Sequence, residues 1–277
     1  MAFDFKNYLR LDKMPHIWCS GCGNGIIMQS VLRCIDSLNI DKDDIAMVSG
    51  IGCSARVVGY VDFNTLHTAH GRGIPFATGI KLARPDMHVI VLAGDGDIIA
   101  IGGNHFIHAA RRNIDISVIM FNNSNYGMTS GQSSPLTPYD ALTSTAKYGN
   151  MERPFDMCEL ARGAGAVYVA RATTYHVRLL DALIKQAITV KGFSFVEVIT
   201  ACPTYFGRYN KFASPVDMLK WQRDSSVNLK QDQIMSPEEL KGKFVIGELF
   251  KKESEKEYTE VCAAMSKKLQ IEGQGHG

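Results

Sequence analysis

Short apolar runs alternate along the first two hundred residues with stretches whose apolar positions recur at helical spacing. Ile45 to Val48 and Val89 to Ala93 are strand-sized and continuous, as strands buried on both faces are. Ser194 to Ile199, with β-branched Val196 and Val198, reads as a strand, as do Ala166 to Ala170 and the apolar run that ends at Asn122-Asn123. Between them, Ile26 to Leu38 sets Ile27, Val31, Ile35 and Leu38 on one side of a helix. Helices are also predicted from about Ile74 to Ala83 (closed by Pro85), from near Ile98, over Asp156 to Arg162, and over Tyr175 to Val190. Ser130 to Pro138, with Gly131, Pro135 and Pro138, is a loop. Strands alternating with helices predict an α/β fold with a doubly wound, mostly parallel sheet. Beyond Pro203 the composition shifts. Tyr205-Phe206-Gly207-Arg208-Tyr209 is aromatic and basic, Trp221 follows, and Pro237 to Phe250 and Ser254 to Gln270 read as helices. The expected organisation is one motif-bearing domain over 1–209 and a helical C-terminal extension over 210–277.

Composition narrows the class. With 277 residues, 45% of them apolar, the chain buries a full core. Its net charge of +2, with both signs interspersed, offers no basic field for nucleic acid. No apolar run approaches a membrane span, and the N-terminus is charged where an export signal needs an apolar core, so a cytoplasmic protein is expected. In that compartment the seven cysteines are packed thiols, metal ligands or redox groups rather than disulfides.

Polar residues gather where strands end, and in an open parallel sheet those ends face one crevice. Gly94-Asp95-Gly96-Asp97 closes one strand and Asn122-Asn123 the next, so Asp95 and Asn123 should meet although 28 positions separate them. A carboxylate and an amide oxygen are hard ligands suited to Mg²⁺, glycines let the backbone approach phosphates, and the following helix offers N-terminal amides. Gly-Asp-Gly alone is also an ordinary turn, and a calcium loop is ruled out because its ligands stop at Ile98 and Ile99. Cys19-Ser20-Gly21-Cys22, opening a helix, is compatible with half a zinc site, a dithiol, part of an iron–sulfur site or two packed thiols. Cys53, in the loop Ser49-Gly50-Ile51-Gly52-Cys53-Ser54, and Cys202, after the last strand, reach the same crevice. His67 and His70, in a His-Gly-Arg-Gly loop, fit either an anion contact or local hydrogen bonding. Cys34, Cys158 and Cys262 are assigned to packing or surface.

Gly-Asp-Gly followed just under thirty residues later by Asn-Asn resembles the signature of thiamine-diphosphate enzymes. Together with Cys19, Cys22, Cys53 and Cys202, and with Trp-Cys-x-Gly-Cys-Gly, Ser-Gly-Ile-Gly-Cys-Ser and His-Gly-Arg, it resembles the beta subunit of 2-oxoacid:ferredoxin oxidoreductases from about Pro15 to Pro203. The pattern looks closest to the 2-oxoglutarate enzymes. The resemblance implies a 1–209 domain that binds both thiamine diphosphate and a [4Fe–4S] cluster. Asp95, Asn123 and the carbonyl of Asn125 would hold Mg²⁺, a role that leaves the Asn125 side chain unconstrained. The four cysteines would hold the cluster. Ile51, Gly52, Cys53, Ser54, His70, Gly94, Gly96, Asp97, Gly127 and Met128 would line the cofactor. The implied activity is CoA-dependent oxidative decarboxylation of a 2-oxoacid with electrons passed to ferredoxin, or the reverse carboxylation. An alpha subunit would complete the site and supply its activating glutamate, for which this chain has no match. Arg56, three residues after Cys53, is the candidate for pairing with the second carboxylate of 2-oxoglutarate; a local or intersubunit ion pair is its plainer role. Pyruvate or another 2-oxoacid is the alternative substrate. A thiamine-diphosphate enzyme without a cluster, and a zinc-stabilised binding module in which Gly-Asp-Gly is a mere turn, are the rival readings.

Overall fold

The computed structural model describes residues 3–229, 235–252 and 256–274. Among the described residues eight strands form one sheet, in the order β2-β1-β3-β4-β6-β5-β8-β7. The strands are β1 (Ile45–Ser49), β2 (Asn64–His67), β3 (His88–Gly94), β4 (Ser117–Asn122), β5 (Tyr168–Thr173), β6 (Ser194–Ile199), β7 (Ser226–Asn228) and β8 (Phe244–Lys251). From β2 through β5 every pairing is parallel, and β8 runs antiparallel to β5.

Strand alternation divides the core into two layers. Met47, Ile90, Leu92, Ile119, Phe121, Val196 and Val198 point to one face, whose layer holds helices α1 (Asn24–Leu38), the one-turn α2 (Val57–Tyr60) and α6 (Val177–Thr189). Val48, Val89, Val91, Val118, Met120 and Phe195 point to the other, against α3 (Gly73–Ala83), α4 (Gly103–Arg111) and α5 (Met157–Ala164). Burial on both faces is why β1, β4 and β6 are buried at every position and read as apolar runs. Edge strand β2, with no fully buried residue, carries no such signal and escapes sequence inspection.

The C-terminal segment corrects the expectation of a helical extension. Only Pro237–Leu240 of the expected helix Pro237 to Phe250 is helical, and Phe244–Lys251 is strand β8, extending the main sheet beyond β5. An apolar run is stabilised as a strand when a neighbouring edge offers unpaired amides, which β5 does. Helix α7 (Pro215–Asp224) and a terminal helix Tyr258–Gln274 complete the segment; Ser254, where that helix was expected to begin, lies outside the described residues. No helix among the described residues is long and apolar enough to cross a membrane.

From β1 the chain moves outward to β2, and from β3 it moves the other way to β4. The carboxyl ends of β1 and β3 therefore diverge at a topological switch point, where open α/β sheets bind ligands.

Candidate functional site

Loops leaving β1, β3 and β4 enclose one pocket at that switch point. It is lined by Ile51 to Ser54, His70, Gly94 to Asp97, Asn123, and Asn125 to Thr129. Every residue expected to line the cofactor falls in it, together with Asp95, Asn123 and Asn125. Two glycines keep its walls close. A methyl on Gly50 would lie 2.1 Å from Asp97 Oδ2, and one on Gly96 would lie 2.3 Å from the Tyr126 ring.

Asp95 is 2% exposed, and Ser134 Oγ donates to its Oδ2 at 2.5 Å. Burial pushes its carboxyl up to about 7, and the Ser134 hydroxyl and Gly96 amide counter that only in part. A buried carboxylate facing a pocket fits a bound divalent cation, which restores the ionised form. Asp97 accepts from the Gly71 amide at 2.6 Å. His70 Nδ1 lies 2.6 Å from Asp97 Oδ1 without hydrogen-bond alignment, a close contact that holds the imidazole at the pocket wall.

After β4, alternation separates the two asparagines. Asn122 turns into the sheet's interior, donating from Nδ2 to Glu197 Oε1 at 2.7 Å, and Asn123 faces the crevice. Ser124 then takes a left-handed backbone, φ 59°, with its amide donating to Asn122 Oδ1 at 3.0 Å. The expectation of an unconstrained Asn125 side chain does not hold. Asn125 is 2% exposed; its Nδ2 donates to the Asn123 carbonyl at 2.7 Å, and its Oδ1 accepts from the Cys202 thiol at 3.8 Å. That contact spans 77 positions, beyond the reach of any local pattern.

A second cavity adjoins the first and shares Cys53, Asn123, Gly127 and Met128 with it. Cys19, Cys22, Cys53 and Cys202 all line this cavity. A methyl on Gly127 would sit 3.6 Å from the sulfurs of both Cys53 and Cys202. Burial pushes the Cys22 thiol up to about 12 and the Cys53 thiol to about 11, and the neighbouring cysteines add to both shifts. The Asn24 amide, at the start of α1, donates to the Cys22 sulfur and so favours its thiolate. Among the described residues no three His, Cys, Asp or Glu side chains close around a point as a single ion requires. Four thiols lining one cavity are a donor set that fits a cluster bringing its own sulfides.

Arg56 also lines the cysteine cavity, with its Nε buried and without a hydrogen-bond partner. Trp18, which opens the first cysteine motif, donates from Nε1 to the Cys53 carbonyl at 2.6 Å and thereby ties two thiol-bearing loops together. The aromatic-basic segment folds back onto its own domain: Tyr205 lines the cavity and packs against Gly131. Cys34 and Cys158 are buried within helices and Cys262 is exposed, all away from both cavities. Sequence inspection missed Tyr126, Thr129, Ser134 and Glu197. Tyr126 and Thr129 lie beside motif residues and were within reach; Ser134 and Glu197 are brought in only by the fold.

Comparison with known proteins agrees with this geometry. Residues 50–198 match the family described as thiamine pyrophosphate enzyme, C-terminal TPP-binding domain. The chain is 54% identical over 265 residues to the 2-oxoglutarate synthase subunit KorB of Methanocaldococcus jannaschii, covering 96% of this chain and 98% of that one. The Archaeoglobus fulgidus protein of the same name is 47% identical, with 94% and 93% covered. Among solved structures, 2-oxoglutarate:ferredoxin oxidoreductase from Magnetococcus marinus, with 2-oxoglutarate, coenzyme A and succinyl-CoA bound, superposes with a TM-score of 0.86 at 33% identity, over 97% of this chain and 91% of that one. Likeness of this extent, over a sheet whose switch point carries both cavities, makes the chain a member of the thiamine-pyrophosphate-binding family of 2-oxoacid:ferredoxin oxidoreductase beta subunits.

Proposed function

We propose that this chain is the cofactor-binding half of a cytoplasmic 2-oxoglutarate:ferredoxin oxidoreductase, active with an alpha subunit and forming succinyl-CoA or running in reverse. The observation that carries the reading is the junction of two cavities, one lined by Asp95, Asn123 and Asn125 and one ringed by four thiols, sharing Cys53, Asn123, Gly127 and Met128. When bound, thiamine diphosphate supplies the chemistry that releases CO₂ from a 2-oxoacid, and a [4Fe–4S] cluster supplies the one-electron relay toward ferredoxin.

This chain's residues bind and orient. Asp95, Asn123 and the Asn125 carbonyl hold Mg²⁺, and Gly96 lets the backbone approach the diphosphate. Cys19, Cys22, Cys53 and Cys202 hold the cluster, with Trp18 fixing the Cys53 loop. Arg56 presents beside Cys53 a cation whose Nε has no partner among the described residues, suited to the second carboxylate that 2-oxoglutarate has and pyruvate lacks.

The test is 2-oxoacid- and CoA-dependent viologen reduction by the anaerobically purified complex, with iron and zinc measured on the same sample. A brown protein bleached by dithionite is expected; a colourless one with stoichiometric zinc and no iron overturns the cluster. Arg56→Ala should lower kcat/KM for 2-oxoglutarate about 100-fold, the scale of a charge-assisted pair worth about 3 kcal/mol, and leave pyruvate turnover within about threefold. Equal losses on both substrates would remove the role given to Arg56.

A further inference from the structure

Behind the metal-binding loop lies a buried polar chain that the proposed chemistry does not use. Glu197, at the middle of β6, is 3% exposed, and Arg171, on neighbouring β5, is 9% exposed. The two are register partners across the strands, and Met120 of β4 faces Glu197 from the other side. Glu197 Oε2 accepts from Arg171 Nε at 2.6 Å and from the Cys158 thiol at 3.5 Å. Arg171 reaches on to Asp156 at 2.7 Å, and Asp156 caps the N-terminus of α5 through the Cys158 and Glu159 amides. The other carboxylate oxygen, Oε1, accepts among the described residues only from Asn122 Nδ2, at 2.7 Å.

That last bond decides which way the Asn122 amide points. An amide has one donor end and one acceptor end. Because Glu197 is an acceptor, Nδ2 must face it, and Oδ1 is left facing the Ser124 amide and hydroxyl, at 3.0 and 3.4 Å. The Ser124 bond closes an Asx turn that supports a left-handed residue without glycine. The chain bends at Ser124 and Asn125, and buried Thr137 holds the bend by donating from Oγ1 to the Ser124 carbonyl at 2.7 Å.

We propose that Glu197, through Asn122, is a positioning residue for the metal-binding loop: its charge fixes the Asn122 amide, which folds the turn that presents Asn123 and the Asn125 carbonyl to the cation. The inference rests on the Mg²⁺–diphosphate reading of the pocket. Buried charge is retained here for orientation, and partners behind a metal ligand typically change metal affinity 10- to 100-fold when altered.

The two ends of the relay are exchangeable, which supplies the test. In Glu197→Gln, the glutamine carbonyl keeps Arg171 and its NH₂ meets Asn122 Nδ2, so the Asn122 amide must turn over and present a donor to the Ser124 donor. Adding Asn122→Asp restores an acceptor toward both the introduced glutamine's NH₂ and the Ser124 amide, with the network's net charge back at the wild-type value. The assembled enzyme is stripped with a chelator, and Mg²⁺ affinity is measured by calorimetry at saturating thiamine diphosphate. Glu197→Gln should weaken Mg²⁺ at least 10-fold, and the double variant should return to within about threefold of wild type. An unchanged affinity in Glu197→Gln, or a double variant at least as weak as the single one, overturns the proposal. Should Glu197→Gln fail to assemble, the double variant decides: assembly with near-wild-type affinity supports the relay, and failure to assemble refutes it. If wild type itself binds no Mg²⁺ with thiamine diphosphate, the reading of the pocket fails rather than the relay.

Discussion

At the scale of single residues, close packing around charge makes the pocket specific. Gly50 leaves the β1 strand directly beneath Asp97, whose carboxylate is 3% exposed and holds the Gly71 amide. Asp97 cannot retreat without surrendering that bond and its contact with His70, so Gly50→Ala should cost about 1–3 kcal/mol, the usual range for overpacking a tight site. It should also weaken thiamine diphosphate binding, because Ile51, Gly52 and His70 move with Asp97. Thermal denaturation and a cofactor titration check both; a Gly50→Ala protein with wild-type melting and affinity would show that Asp97 has room to move. The residues legible in the sequence were those whose type and position at a strand's end both carry meaning, Asp95 and Asn123 above all. The orientation of Asn122, the confinement of Asn125 and the hydroxyl of Ser134 on Asp95 were not legible. Each depends on a partner 39 to 77 positions away.

At the scale of elements, the central strands were readable because burial on both faces forces continuous apolar runs, and α1 and α6 because one face packs and the other is wet. β8 was misread because Phe244 to Phe250 has neither strict alternation nor a helical stripe, and the free edge of β5 settles the matter. The segment past 210 is more than an appendage. Pro215, at the head of α7, lies where a Gly21 methyl would be, 2.3 Å away, so α7 presses on the turn between Cys19 and Cys22. Met218, 1% exposed, packs with Ala201, Cys202 and Phe206 and leaves no room for a side chain on Gly207. Met218→Ala should therefore lower stability by about 2–4 kcal/mol through the cavity it leaves. On the proposed cluster reading it should also shorten several-fold the lifetime of the brown colour in air, as Cys202 loses its cover. A lowered melting temperature with an unchanged lifetime would mean that α7 supports the fold without shielding the thiols.

At the scale of the whole molecule, the binding loops come from strands that are adjacent in the sheet but far apart in the chain. The Cys53 loop follows β1, the Asp95 loop follows β3 and the Asn123 loop follows β4, and these loops meet only because the sheet has closed. A ligand that touches all of them recognises the folded state and has no counterpart in the unfolded chain, so binding must raise stability by mass action. At 100 times its dissociation constant the gain is about 2.7 kcal/mol, which for a chain of this size raises the melting temperature by roughly 5 °C. On the proposed Mg²⁺ reading, Asp95 makes the gain depend on the metal: burial raises its carboxyl to about 7, so ionising it next to a diphosphate requires a cation between them. Thiamine diphosphate with Mg²⁺ should thus raise the melting temperature by that amount, and thiamine diphosphate with a chelator by less than about a third of it. Calorimetric scans of the assembled enzyme under the two conditions decide the point. An equal rise with and without the metal would mean that the diphosphate is held by amides alone, and that Asp95, Asn123 and Asn125 serve the loop rather than a cation.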